Sequence, residues 1–185
     1  MTSQWLSRIE LCFWPQGFKR DIWMIADAAR NPRIFPMLRE LHLEYYCLYS
    51  GPLPPVLEMA APYLVQFDYD DPGTRHFLRN AWGNNWGVFL NCPSLARTLR
   101  RHLREFLVMR DSGGNRLVFR YYDPRVLRVY LPTCTPDELR TFFGPIESFW
   151  MEGETSDLIV NYSYDQNGLS ERKYSFSGAD STRLP

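Results

Sequence analysis

Four arginines, Arg97, Arg100, Arg101 and Arg104, stand at three- and four-residue spacings within residues 94–107, which gathers them on one side of a helix. A guanidinium fork grips carboxylate or phosphate through paired hydrogen bonds, so such a face could hold an acidic partner. The competing reading is a solvated helix face. Seven aromatic residues, Tyr45, Tyr46, Tyr49, Trp82, Trp86, Tyr121 and Tyr122, are candidate anchors for a protein partner, because rings bury large area while keeping a polar handle. They fall in or beside strand-like segments, where alternate side chains point inward, so about half of them are expected in the core.

Bond-making chemistry is harder to find. His42, His76 and His102 lack H-E-x-x-H spacing or a cysteine neighbour suited to a metal. Ser50 and Ser94 are not in a G-x-S-x-G elbow and read as turn and cap. Gly83, Gly87, Gly113 and Gly114 make neither a dinucleotide fingerprint nor a phosphate loop. Asp21, Asp27, Asp68, Asp70 and Asp71 could supply a carboxylate pair, but each sits at a strand edge or a helix cap, where a lone acid is ordinary. No catalytic residue, metal or cofactor is assigned. A small hydrolase with an unrecognised site remains an alternative, and two of Asp27, Asp123 and His42 in one deep cleft would favour it. An Arg-rich nucleic-acid module is a further alternative.

Bulk composition bears on that choice. The 21 basic and 21 acidic side chains cancel, so no global field draws the 185-residue chain to nucleic acid or anionic lipid. Cys12, Cys47, Cys92 and Cys134 are too scattered for a disulfide scaffold and read as reduced thiols. The amino terminus lacks a signal-peptide pattern, and no run of about 20 apolar residues occurs. A cytoplasmic protein without a membrane partner is expected.

The elements that must position these residues are written most densely in residues 119–145. Asp123-Pro124 supplies an N-cap and a preset first helical φ. Thr135 and Glu138 have the spacing of a capping box, with Pro136 at the first helical position and Gly144-Pro145 as the stop. Asp71-Pro72 repeats the first device. Residues 21–26, 45–49, 62–67 and 86–90 read as strands, 34–41 as a helix, and 94–107 as an amphipathic helix with Leu95, Leu99, Leu103 and Phe106 inward. Residues 106–121 read as a hairpin about Asp111-Ser112-Gly113-Gly114-Asn115, and 146–151, 158–164 and 169–176 as three further strands. Ile9, Leu11 and Phe13 alternate as in a short edge strand. The fold class is α/β, a mixed β-sheet flanked by helices in a single domain, with room for two lobes. Residues 1–20 form an N-terminal segment, 21–150 the main domain, 151–176 a second small lobe or an extension of the sheet, and 177–185 a mobile tail.

Three blocks carry a resemblance: LYSGPLPPVLEMAAPYLVQF from Leu48, WGNNWGVFL from Trp82 and FRYYDPRVLRVYLPTCTPDELRTFFGPI from Phe119. With the Ile-Ala-Asp-Ala-Ala stretch around Asp27, the chain resembles, from Asp21 to Trp150, the type VI secretion adaptor chaperones known as Tap or Tec. The resemblance implies a non-enzymatic cytoplasmic protein that binds a toxic effector and helps load it onto the VgrG spike. It implies no cofactor and no nucleic-acid partner. The matching positions are Asp27, Tyr49, Gly51, Pro62, Trp86, Gly87, Tyr122, Asp123, Pro124 and Arg125. The partner-binding set is expected to be the seven aromatics, rimmed by Arg97, Arg100, Arg101 and Arg104.

Overall fold

A computed structural model describes residues 4–15, 21–110 and 113–176. The expected mobile tail, 177–185, lies outside the described residues. Strand β1 (Ile22–Asp27) is the central element: six consecutive buried residues, paired on both sides. An unbroken apolar run of that length suits a strand covered on both faces. Around it stand β2 (Tyr45–Cys47), β3 (Pro62–Phe67), β4 (Gly87–Asn91), β7 (Ser148–Glu152), β8 (Leu158–Asp165) and β9 (Gly168–Ser175), in the order β2-β3-β1-β4-β7-β8-β9. Two short strands, β5 (Val108–Arg110) and β6 (Arg116–Val118), make a separate hairpin.

The expected architecture of one sheet flanked by helices is present. Its pairs are antiparallel throughout, however, where a mixture of orientations was expected. Alternating strands and helices suggest parallel crossovers, but β1 sits between β3 and β4, both of which run against it. Strand order, which no local pattern encodes, makes the difference. β8 and β9 continue the same sheet from β7, so residues 151–176 are an extension of it and not a second lobe.

Helices cover both faces. On one face α1 (Gln4–Phe13), α2 (Ile34–Glu40) and α4 (Pro72–Ala81) pack on Ile22, Met24 and Ala26. On the other, α5 (Ala96–Glu105), α6 (Pro124–Tyr130) and α7 (Pro136–Phe143) pack on Trp23 and Ile25. A short α3 (Pro55–Glu58) follows the proline-rich turn. The alternation of β1 thus feeds two separate cores.

The expected edge strand near Ile9 is a helix instead. Leu6, Ile9, Cys12 and Phe13 are buried while Leu11 is 46% exposed, so the three- and four-residue period overrides the apparent alternation. The cap devices hold: Asp71 accepts from the Gly73 and Thr74 amides at 2.9 and 3.0 Å, and Asp123 from Arg125 N at 3.0 Å. The capping box is closed both ways, Glu138 N to Thr135 Oγ1 at 3.3 Å and Thr135 N to Glu138 Oε2 at 2.7 Å. In α5 the inward stripe is Leu99 and Leu103; Leu95, expected inward, is 81% exposed because it is the N-cap and precedes the helical turn.

Candidate functional site

A groove of about 860 Å³ lies between the end of β2, α5 and the β5–β6 hairpin, within the size range of ligand sites. Arg97, Arg100, Arg101 and Arg104 all line one wall, as their spacing on α5 requires. Tyr46, Leu48, Tyr49 and Ser50 form the opposite wall. Ala96, Leu107, Val108 and Val118 supply aliphatic surface, and Glu105 is the acidic residue of the lining. Six of the eleven residues expected to meet a partner therefore converge in one place.

Local geometry explains the convergence. β2 is the sheet's edge, paired with β3 alone. Its alternation sends Tyr46 and Leu48 toward the α5 face and Tyr45 toward the α2 face, where Tyr45 packs edge-on to Phe35 and Tyr63 at ring separations of 6.0 and 5.5 Å. Arg100 Nε donates to Cys47 O at 2.8 Å, which ties α5 to the edge strand and fixes the groove's width. Tyr46 donates its hydroxyl to Glu44, whose charge and hydrogen bond hold the phenol above its ordinary pKa.

Four of the other aromatic candidates are buried. Trp82, Trp86, Tyr121 and Tyr122 are 7%, 3%, 0% and 2% exposed and are structural. Tyr121 donates to Leu103 O at 2.8 Å beneath α5, and Trp82 Nε1 to Ser156 O at 2.7 Å. Helices and turns distant in sequence cover these rings, so strand periodicity could not reveal it. They are withdrawn from the partner-binding set, and Tyr45, half-buried on the far face, is not part of the groove.

A second constellation lies at the carboxyl end of β1. Asp27, 2% exposed, accepts from Arg120 and from the Ala29 amide at 3.2 Å. Asp123 accepts from Arg125 at 2.9 Å through Nε and 2.5 Å through Nη2. Burial alone would raise the Asp123 pKa, but the Arg125 hydrogen bonds and the charges of Arg125 and Arg120 outweigh it and leave the carboxyl below its usual range. Burial, with the nearby Tyr49, lifts the Tyr122 phenol well above its ordinary value. Asp27 N donates to Trp86 O at 2.8 Å and Ala28 N to Ala61 O at 3.2 Å. The scattered motif positions Asp27, Tyr49, Pro62, Trp86, Gly87, Tyr122, Asp123 and Arg125 thus belong to one hub. Through Tyr49 the hub adjoins the groove.

Asp27 and Asp123 are each engaged by an arginine, Arg120 and Arg125. His42 sits at the opposite end of the sheet, beside Asp68 and Asp71. His102 Nε2 lies 2.9 Å from Phe142 O.

A model of a domain of unknown function, DUF4123, matches residues 22–141. The chain belongs to the DUF4123 family. No curated protein and no solved structure matches it. The DUF4123 span begins at β1 and ends within α7, so both the hub and the groove lie inside it, while β8 and β9 lie beyond. Among the described residues, no helix of this DUF4123 chain is long and apolar enough to cross a membrane.

Sequence reasoning missed Glu152, a carboxylate 3% exposed at the end of β7. It accepts from the Gly83 and Asn85 amides at 2.7 and 2.8 Å and holds a turn in which both residues have positive φ, 86° and 50°. Burial raises its pKa from 4.5 to about 7, against the pull of those amides and of Arg128 and Arg30. The folded pKa exceeds the unfolded one, so the native state binds more protons between these values. The contribution is fullest below about pH 4.5 and is lost as pH rises to about 7. That difference is on the order of 3 kcal/mol. Glu152→Gln should flatten this part of the profile, which urea unfolding at acidic and neutral pH would show. An unchanged slope would mean that the carboxylate is not buried as described.

Proposed function

We propose that this DUF4123 protein is a non-enzymatic adaptor that binds a type VI secretion effector in the cytoplasm and promotes its loading onto the VgrG spike. The observation that carries the proposal is the groove, which four arginines, two tyrosines and several aliphatic side chains line together. Arginine and tyrosine are the residue types that concentrate binding energy at protein interfaces. The order of the motif blocks around Asp27, Tyr49 and Asp123 supports the same reading, since it matches the adaptor chaperones the sequence resembles.

The test is co-purification from the native host. The tagged protein should bring down an identified toxin together with VgrG, and the purified three should elute as one complex on size exclusion. Recovery of neither partner by a bait that melts cooperatively would end the adaptor reading.

A further inference from the structure

We infer that the groove receives an acidic, partly apolar polypeptide segment, its carboxylates on Arg97, Arg101 and Arg104 and its apolar side chains against the β5–β6 hairpin. The inference deepens the adaptor reading and rests on it for the partner's being a protein.

Charge is the first argument. Arg75, Arg120, Arg125 and Arg140 each pair with a carboxylate of the chain. Among the described residues, no carboxylate pairs with Arg97, Arg101 or Arg104, although the three share one wall. Four arginines against the one carboxylate of the lining, Glu105, leave an excess of positive charge that attracts a complementary anion. Arg100 is different, because its Nε is bonded to Cys47 O and it braces the wall.

The hairpin is the second argument. Val108 and Val118 are cross-strand partners that line the groove, yet they are 41% and 62% exposed. Met109 and Leu117, the next pair, are 41% and 52% exposed. A two-stranded ribbon with three residues per strand is marginal by itself, and its apolar surface gains by being covered. The cationic helix and the apolar ribbon flank one groove, which suits a segment that carries both acids and aliphatic residues. Nucleic acid fits less well. Single strands need runs of ring faces for stacking, whereas the hairpin side of the groove offers the aliphatic Val108 and Val118.

A fluorescein-labelled synthetic peptide of Glu and Leu is the probe, read by anisotropy against the wild type, Arg97→Glu/Arg101→Glu and Val118→Asp. Arg97, Arg101 and Val118 are exposed, so the variants should keep the wild-type melting profile. The peptide should bind the wild type, weaken at high salt, and lose at least about tenfold affinity with the charge reversals. Val118→Asp should weaken it too, and a Lys-Leu peptide should not bind. No binding, equal binding to all three proteins, or tighter binding of oligothymidine than of the peptide would overturn the inference. Co-purification separates the two claims. Equal capture of toxin and VgrG by wild type and Arg97→Glu/Arg101→Glu would sink the groove's role while the adaptor reading stood. Capture of neither by the wild type, with peptide binding still lost in the variant, would sink the adaptor reading and leave the groove's preference intact.

Discussion

Arg120→Ala should destabilise the protein by about 3 kcal/mol at neutral pH, more than removing the charge it pairs with. The asymmetry follows from exposure: the Asp27 side chain is 3% accessible and that of Arg120 is 45%. Without Arg120 a buried carboxylate loses its ion pair and keeps the weaker contact to the Ala29 amide at 3.2 Å. Without the Asp27 charge, Arg120 is already half in water and rehydrates. Asp27→Asn keeps an oxygen for Ala29 N and should cost about 1 kcal/mol. Urea titrations of both variants at neutral pH decide the matter, and equal destabilisation would show that the pair is not the keystone of the hub.

Gly87→Ala is expected to cost at least about 3 kcal/mol. β4 approaches β1 so closely at this point that a Cβ would overlap the Ile25 carbonyl oxygen, lie 2.9 Å from the carbonyl carbon and 3.0 Å from Met24 Cε. The obstacle is backbone in the central strand, which cannot rotate aside. Relief would require β1 and β4 to separate, and β1 carries both cores. Gly51→Ala is the control: its φ is 73°, but its Cβ would meet open space, so only backbone strain of about 1–2 kcal/mol is expected. In thermal melts Gly87→Ala should fall by roughly 10 °C. A Gly87→Ala protein as stable as Gly51→Ala would refute the close packing of the two strands.

The groove shows how far a chain can be read by pattern. The side of α5 that carries Arg97, Arg100, Arg101 and Arg104 follows from their spacing, and all four line the site. Tyr46 and Tyr49 were legible as candidates, but nothing local separated them from Tyr121 or Trp86, which have the same chemistry and are sealed inside. Val108 and Val118 were legible as strand residues of a hairpin. Their exposure beside a cationic helix was not, because it depends on the absence of a third strand.

By itself the sequence determined most of the elements and several of their limits, α1 being misread as a strand. Asp71-Pro72, Asp123-Pro124 and the Thr135–Glu138 box start helices through hydrogen bonds that span only two or three residues, and β1 announces its burial through an uninterrupted apolar run. Tertiary structure alone decided the antiparallel order of the sheet and the burial of Trp82, Trp86, Tyr121 and Tyr122. It also decided the pairing of Asp27 with Arg120, 93 residues apart, and the capture of the Gly83 and Asn85 amides by Glu152. The reason is range: caps and periodicity act within a turn or two of chain. Whether a ring or a charge is shielded from water depends on what remote segments lay over it.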